Sequence, residues 1–132
     1  MKKSTLLFLC LIAFSLVGCS KKYQEEITVV STEEMKTLRN LEDVQLIDVR
    51  TKAEYDSGHL VNSQNIDYNS PTFDDDIAGL DKEKPVVLYC QKGGRSAKCA
   101  QKMHDAGFKK VYDLKGGFSK WQFQKLELDL NL

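Results

Sequence analysis

Two short apolar stretches constrain the fold of this chain more than any other feature: Val44-Gln45-Leu46-Ile47-Asp48-Val49 and Pro85-Val86-Val87-Leu88-Tyr89. Both are mostly apolar and rich in β-branched residues instead of alternating with polar ones, the pattern of a strand covered on both faces. Helix-start signals lie between such stretches. Ser31-x-x-Glu34 is a capping box opening a helix through about Arg39, and Thr51-x-x-Glu54 is a second one opening a short helix that Gly58 ends. Further strands are expected at 27–30, 63–66 and 111–114, and a loop carrying one short helix at 69–84. A helix from about Ser96 to Ala106 is closed by Gly107, and a last short one lies around Trp121. Strands alternating with helices predict an α/β domain with a mainly parallel central sheet and helices on both faces. Ligands bind such sheets at the carboxyl ends of strands, where Asp48 and Cys90 both fall.

The amino end has a different character. Leu6 to Val17 is an apolar run of 12 residues behind Met1-Lys2-Lys3. It is too short for a spanning helix, which wants about 20 residues, and it fits a secretory signal. Leu16-Val17-Gly18-Cys19 resembles the bacterial lipobox, in which the peptide is cut before the Cys and the Cys is acylated. That assigns 1–18 as a lipoprotein signal peptide and Cys19 as the lipidation site. Residues 19–26 become a lipidated Cys with a short tether, and 27–132 the folded domain. Several acyl chains on one residue anchor stably, since each buried methylene contributes about 0.8 kcal/mol and a single chain is marginal. The tether SKKYQEE spans at most roughly 25 Å, keeping the domain near the membrane. Ser20 after the Cys resembles outer-membrane sorting in a diderm cell, where the protein would face the periplasm. In a monoderm cell the same signal leaves it on the outer face of the plasma membrane.

Composition excludes several classes. The 132 residues balance 19 Lys+Arg against 19 Asp+Glu, with 42% hydrophobic residues and 2 prolines, which is neither disordered nor collagen-like nor basic enough to steer to nucleic acid. Without residues 1–18 the count becomes 17 against 19, too near neutrality to name a partner. Of the 4 cysteines, Cys10 leaves with the signal and Cys19 carries lipid, so Cys90 and Cys99 are the remaining thiols. Two thiols make no disulfide scaffold, and a thiol kept in an oxidising compartment points to reactivity. Two His without ligand-spaced partners predict no metal site.

The chemistry concentrates at Cys90-Gln91-Lys92-Gly93-Gly94-Arg95-Ser96, between a buried strand and a helix. Gly93 and Gly94 permit a backbone that turns successive N–H groups inward, the helix start adds unpaired donors, and Arg95 and Lys92 are expected to add cations. A thiol over such an anion cradle ionises more easily than a free one.

CQKGGRS resembles the active-site loop of the rhodanese sulfurtransferases, and the similarity runs from LIDVRTKAEYDSGHLVNSQNI (46–66) through VVLYCQKGGRSAKCAQKMHDAGF (86–108) to VYDLKGGFSKW (111–121). The resemblance implies a cofactor-free enzyme in which the Cys90 thiolate takes a sulfane sulfur from thiosulfate, polysulfide, a mercaptan or a protein persulfide. The sulfur is then passed to cyanide or a thiol. A monomer anchored to a membrane, with small-molecule or persulfide partners and no nucleic acid, is expected. A non-catalytic sulfur-binding or thiol-redox module is the alternative. Cys-dependent phosphatases and arsenate reductases are disfavoured, because they place five residues between Cys and Arg where this chain has four, a tighter cradle. Asp48 matches a family position read as a structural anchor. Arg50 is read as either an attractor of anionic substrate or a surface ion pair. His59 is expected to be a hydrogen-bonded structural residue, His104 to be exposed, and Trp121 and Cys99 to belong to the core.

Overall fold

A computed structural model describes residues 27–41, 43–124 and 128–129. The signal, Cys19 and tether assignments lie outside these residues. Twelve elements follow in order: β1 (Ile27–Val30), α1 (Thr32–Leu41), β2 (Gln45–Asp48), α2 (Lys52–Asp56), β3 (His59–Leu60), β4 (Gln64–Asn65), α3 (Phe73–Ala78), β5 (Val86–Tyr89), α4 (Gly94–Asp105), β6 (Val111–Leu114), α5 (Gly117–Phe123) and β7 (Leu128–Asp129).

Five strands form one sheet in the order β1-β6-β5-β2-β4, with every pairing parallel. The apolar runs at 44–49 and 85–89 become its central strands, and all four residues of β5 are buried. Alternation distributes their side chains to two cores. Ile47, Val86, Leu88 and Val111 pack against Phe73 and Ile77 of α3 and Cys99, Ala100 and Met103 of α4. Leu46, Val87, Tyr89 and Leu114 pack against Met35 of α1 and Phe118 and Trp121 of α5 on the other face.

Both capping boxes form. The Glu34 N–H donates to Ser31 Oγ (3.2 Å) while the Ser31 N–H donates to Glu34 Oε2 (2.7 Å). Thr51 and Glu54 repeat the exchange at 3.3 and 2.9 Å. Two boundaries and one strand pairing differ from expectation. The strand anticipated over 63–66 is confined to Gln64–Asn65, and α4 begins at Gly94 instead of Ser96. A separate antiparallel ladder pairs His59 with Asp129 and Leu60 with Leu128, two residues a side and too short to leave a periodic trace.

Topology selects the site. From β2 the chain moves outward to β4 on one side, and from β5 it moves outward to β6 on the other. β2 and β5 are neighbours with Asp48 opposite Tyr89. Their carboxyl ends therefore flank a topological switch point, the usual ligand crevice of an open parallel sheet.

Candidate active site

β5 ends at Tyr89, whose hydroxyl accepts the Leu60 N–H (3.1 Å) and meets Ser63 Oγ at 3.0 Å, so the strand enters the next loop from a fixed point. Cys90 follows, only 2% exposed. Gly93 has φ 112°, a left-handed conformation that a side chain resists, and it turns its N–H to Cys90 Sγ at 3.0 Å. Burial pushes the Cys90 thiol up, but the Ser96 N–H and hydroxyl and the N–H groups of Gly93 and Lys92 together outweigh it, so the thiol lies below its ordinary value. The cradle is thus built from backbone donors and one hydroxyl at the start of α4.

The expected cations are placed differently. Arg95 turns its guanidinium onto Glu54, with Nη1 donating to Oε2 (2.7 Å) and Nη2 to Oε1 (2.8 Å). Arg95 stands in the first turn of α4, where its side chain reaches sideways to α2 while its charge still acts on Cys90. The Arg95 hydrogen bonds, working against burial, hold the Glu54 carboxyl at about 2. The Lys92 side chain is exposed, and only its N–H faces the sulfur. Gly94 is an ordinary helical residue with open space where a Cβ would stand, so Gly93 alone supplies the special conformation.

A buried tier lies beneath the loop. Arg50, 1% exposed, donates from Nε to both Asp48 oxygens (3.0 Å each) and from Nη2 to Asp48 Oδ2 (2.7 Å) and the Gly58 carbonyl (2.7 Å). Its Nη1 donates to Gln91 Oε1 (3.1 Å), and its guanidinium carbon lies 4.0 Å from the Phe118 ring centroid. Arg50 is therefore neither at the mouth nor a surface pair. Buried ion pairs need such saturation of their hydrogen bonds, because desolvation offsets their attraction. The Gln91 side chain also points away from the cradle, its Nε2 donating to Ser119 Oγ (2.9 Å).

From the other side α5 clamps the loop: the Phe118 N–H donates to the Cys90 carbonyl (2.8 Å) and the Ser119 N–H to the Gln91 carbonyl (3.1 Å). Gly117 makes this approach possible, since a Cβ there would stand 2.3 Å from the Cys90 carbonyl oxygen.

A strand-ended Cys under a ring of N–H donors agrees with the family model that matches residues 31–124, the rhodanese-like domain. The chain belongs to the rhodanese-like family. Over 89 residues it is 35% identical to the thiosulfate sulfurtransferase GlpE of Coxiella burnetii, covering 67% of this chain and 81% of that protein. The protein YqhL of Bacillus subtilis is 37% identical over 99 residues, 75% of this chain and 76% of its own. A rhodanese-related crystal structure from Thermoplasma volcanium shares the fold at TM-score 0.70 and 22% identity, over 79% of this chain and 99% of that one. By class the protein is a rhodanese-type sulfurtransferase.

Within this rhodanese domain Cys99 is fully buried, and burial pushes its thiol up to about 12. His59 stacks on Tyr55 at 3.7 Å with Nδ1 2.9 Å from the Tyr55 carbonyl, and Trp121 is core. The His104 side chain, expected to be exposed, is 32% exposed, with Nδ1 3.3 Å from Asp105 Oδ1. Among the described residues no three His, Cys, Asp or Glu side chains gather as metal donors would.

Three residues around the site escaped the sequence. Glu54 shows there only as a helix cap. Gly117 shows as half of a glycine pair. Asp113 is the exception with a readable signal, a carboxylate sharing the inward parity of Val111 in an apolar strand.

Proposed function

We propose that Cys90 is the nucleophile of a two-step sulfane-sulfur transfer, and the observation that carries this reading is the sulfur's position among the N–H groups of Lys92, Gly93 and Ser96. The thiolate attacks the outer sulfur of the donor. With thiosulfate, the donor's S–S bond breaks as the Cys90 Sγ–S bond forms, and sulfite leaves with the electron pair. The product is a Cys90 persulfide with one negative charge, which the same donors solvate. A cyanide or thiolate acceptor then attacks the terminal sulfur and returns Cys90 as thiolate, so no electrons enter or leave the cycle.

Lys92 favours an anionic donor such as thiosulfate, because it is an exposed cation on the loop. Arg95 serves a different end, tying the loop to α2 through Glu54. Polysulfide and protein persulfides present the same sulfane sulfur to the same cradle. The Leu16 to Cys19 motif supports export and lipid anchoring.

Anaerobic incubation with thiosulfate, and separately with polysulfide, followed by intact mass tests the chemistry. One sulfur added to the Cys90 peptide and removed by cyanide is expected. Sulfur that loads but is not released supports the sulfur-binding alternative, and no adduct with either donor contradicts both readings. For the anchor, Cys19→Ala is expected to leave an uncut, unacylated precursor, whereas a released mature protein with an unmodified Cys19 overturns it.

A further inference from the structure

The two ends of α5 are fixed at different strands. At its start the Phe118 and Ser119 N–H groups hold the carbonyls of Cys90 and Gln91, which follow β5. At its end Gln124 Oε1 accepts the Thr32 hydroxyl at 2.6 Å, just past β1. β6 lies between those strands, so the two anchors are two strand spacings apart, about 10 Å, and a helix of 7 residues rises about the same distance. α5 therefore runs along the row of carboxyl ends that borders the mouth of the site. Its core side is Phe118 and Trp121. Ser119 meets Gln91 of the Cys90 loop through both its N–H and its hydroxyl, and Phe123, four residues on, shares its stripe of the helix. The Phe123 ring belongs to neither core and is 87% exposed.

A single exposed ring is ordinary on a protein surface, and what distinguishes this one is its place and its company. Lys92 on the loop, Lys115 at the end of β6 and Lys120 on α5 are all exposed, and none forms an ion pair with a described residue. The stem of Lys120 lies back over Gly116, its Cβ and Cδ 3.0 Å from where a Gly116 Cβ would stand, which keeps it toward the start of α5. The carboxylates on this flank, Glu33 and Glu34, stand at the α1 end and are engaged there. Glu34 accepts the Ser31 N–H of its capping box, and Glu33 Oε1 accepts from Gln124 Nε2 at 3.4 Å. The side nearest Cys90 is thus basic with an aromatic anchor beside it. A second copy facing it across a twofold axis would set the same lysines against each other. A lipid surface would meet the lysines and the ring but brings no sulfur to the cradle they border.

We propose that the face formed by Phe123, Lys92, Lys115 and Lys120 docks an acidic protein that carries its sulfur as a cysteine persulfide, with Phe123 seating an apolar side chain of that partner about 10 Å from the reacting sulfur. The Cys90 thiolate attacks the outer sulfur of the persulfide. The partner's S–S bond breaks as the Cys90 Sγ–S bond forms, the partner's thiolate leaves with the electron pair, and the outer sulfur crosses with its proton or charge unchanged. The inference rests on Cys90 being the sulfur-carrying nucleophile, and its test therefore reads docking separately from transfer.

Two synthetic peptides serve as probes. Each carries a Cys persulfide with a leucine three residues away, a span of about 10 Å in extended chain. One has aspartates at its other positions and the second has lysines. Loading of Cys90 is followed by intact mass. The acidic peptide should load about tenfold faster than the basic one, an advantage that collapses near 1 M salt, where the Debye length is about 3 Å. Phe123→Ser should slow the acidic peptide by about tenfold, the order of one aromatic anchor, and leave thiosulfate loading unchanged. Replacing the peptide's leucine by serine should cost as much in wild type and nothing further in Phe123→Ser. Lys115→Glu should remove most of the preference for the acidic peptide. Fluorescence anisotropy of the acidic peptide with serine in place of its Cys reads docking without transfer, and Phe123→Ser should weaken it to the same extent. Equal loading by both peptides, or a Phe123→Ser variant that loads and binds the acidic peptide like wild type, overturns the proposal. So does a Phe123→Ser variant whose one defect is weaker binding to phosphatidylglycerol vesicles, which assigns the face to lipid. Failure of wild type to gain sulfur from any donor, with the anisotropy difference intact, counts instead against the transfer reading and leaves the docking face standing.

Discussion

Cys90 and Cys99 are nine residues apart, both nearly inaccessible, and opposite in chemistry. Cys99 lies among Met103, Ala100 and Phe108, where burial outweighs the attraction of Lys102, and its thiol is pushed up to about 12. Cys90 suffers the same kind of burial and still ends below its ordinary value, because the loop turns three N–H groups and a hydroxyl toward it. Exposure therefore does not separate a reactive thiol from an inert one in this fold. The number of donors aimed at the sulfur does.

The largest effect that can break this comparison is removal of the sulfur. Cys90→Ser should abolish sulfur loading and cyanide turnover altogether, whereas Cys99→Ser, a small change in an apolar core, should retain most of both. Loss of turnover in both variants with the fold intact would contradict the assignment of Cys99 to packing and favour a dithiol mechanism.

Next in size is the tier that holds the loop. Arg50→Met leaves Asp48 buried without its partner, and breaking such a pair costs about 3–5 kcal/mol. Chemical denaturation should show that loss, and sulfur loading should fall as Gln91 loses its anchor. Gly117→Ala is expected to be smaller in stability, about 1–3 kcal/mol for an overpacked contact. Its effect on turnover should be disproportionate, because the displaced atom is the Cys90 carbonyl. Turnover that fell only in step with stability would show that α5 does not position the loop.

The smallest effect concerns the rim. Glu54 is held at about 2 in the folded protein against 4.5 for the free side chain. A depressed folded value stabilises the protein above pH 4.5, and that contribution is lost as pH falls from 4.5 toward 2. Glu54→Gln should flatten the stability profile across that window and Arg95→Lys should weaken it, the loop being less firmly tied. The half-exposed position keeps the size modest. A steep fall in thiosulfate turnover in Arg95→Lys, with loop stability unchanged, would show that Arg95 orients the donor and does more than tie the loop.

What the sequence made legible is local. The apolar runs at 44–49 and 85–89, both capping boxes and the CQKGGRS loop are contiguous patterns, and they sufficed for the parallel sheet and the reactive Cys. What escaped depends on contacts between distant residues. Arg95 and Glu54 are separated by 41 positions, as are Arg50 and Gln91, and nothing near either residue announces the other. Arg50 belongs to this group, since charge alone reads as surface until its buried partners Asp48 and Gln91 are known. The Asp113 carboxyl becomes legible as buried only once Val111 and Asp113 share one face of β6.

The central claim is that N–H donors reverse the effect of burial on Cys90, and the thiolate titration tests it most directly. The ultraviolet thiolate absorbance of the full chain, less that of Cys90→Ser, is followed across pH with Cys99→Ser as the control. The account predicts a Cys90 midpoint below that of free cysteine, unchanged in Cys99→Ser, with Cys99 silent until far above neutrality. A Cys90 midpoint at or above that of free cysteine would contradict it.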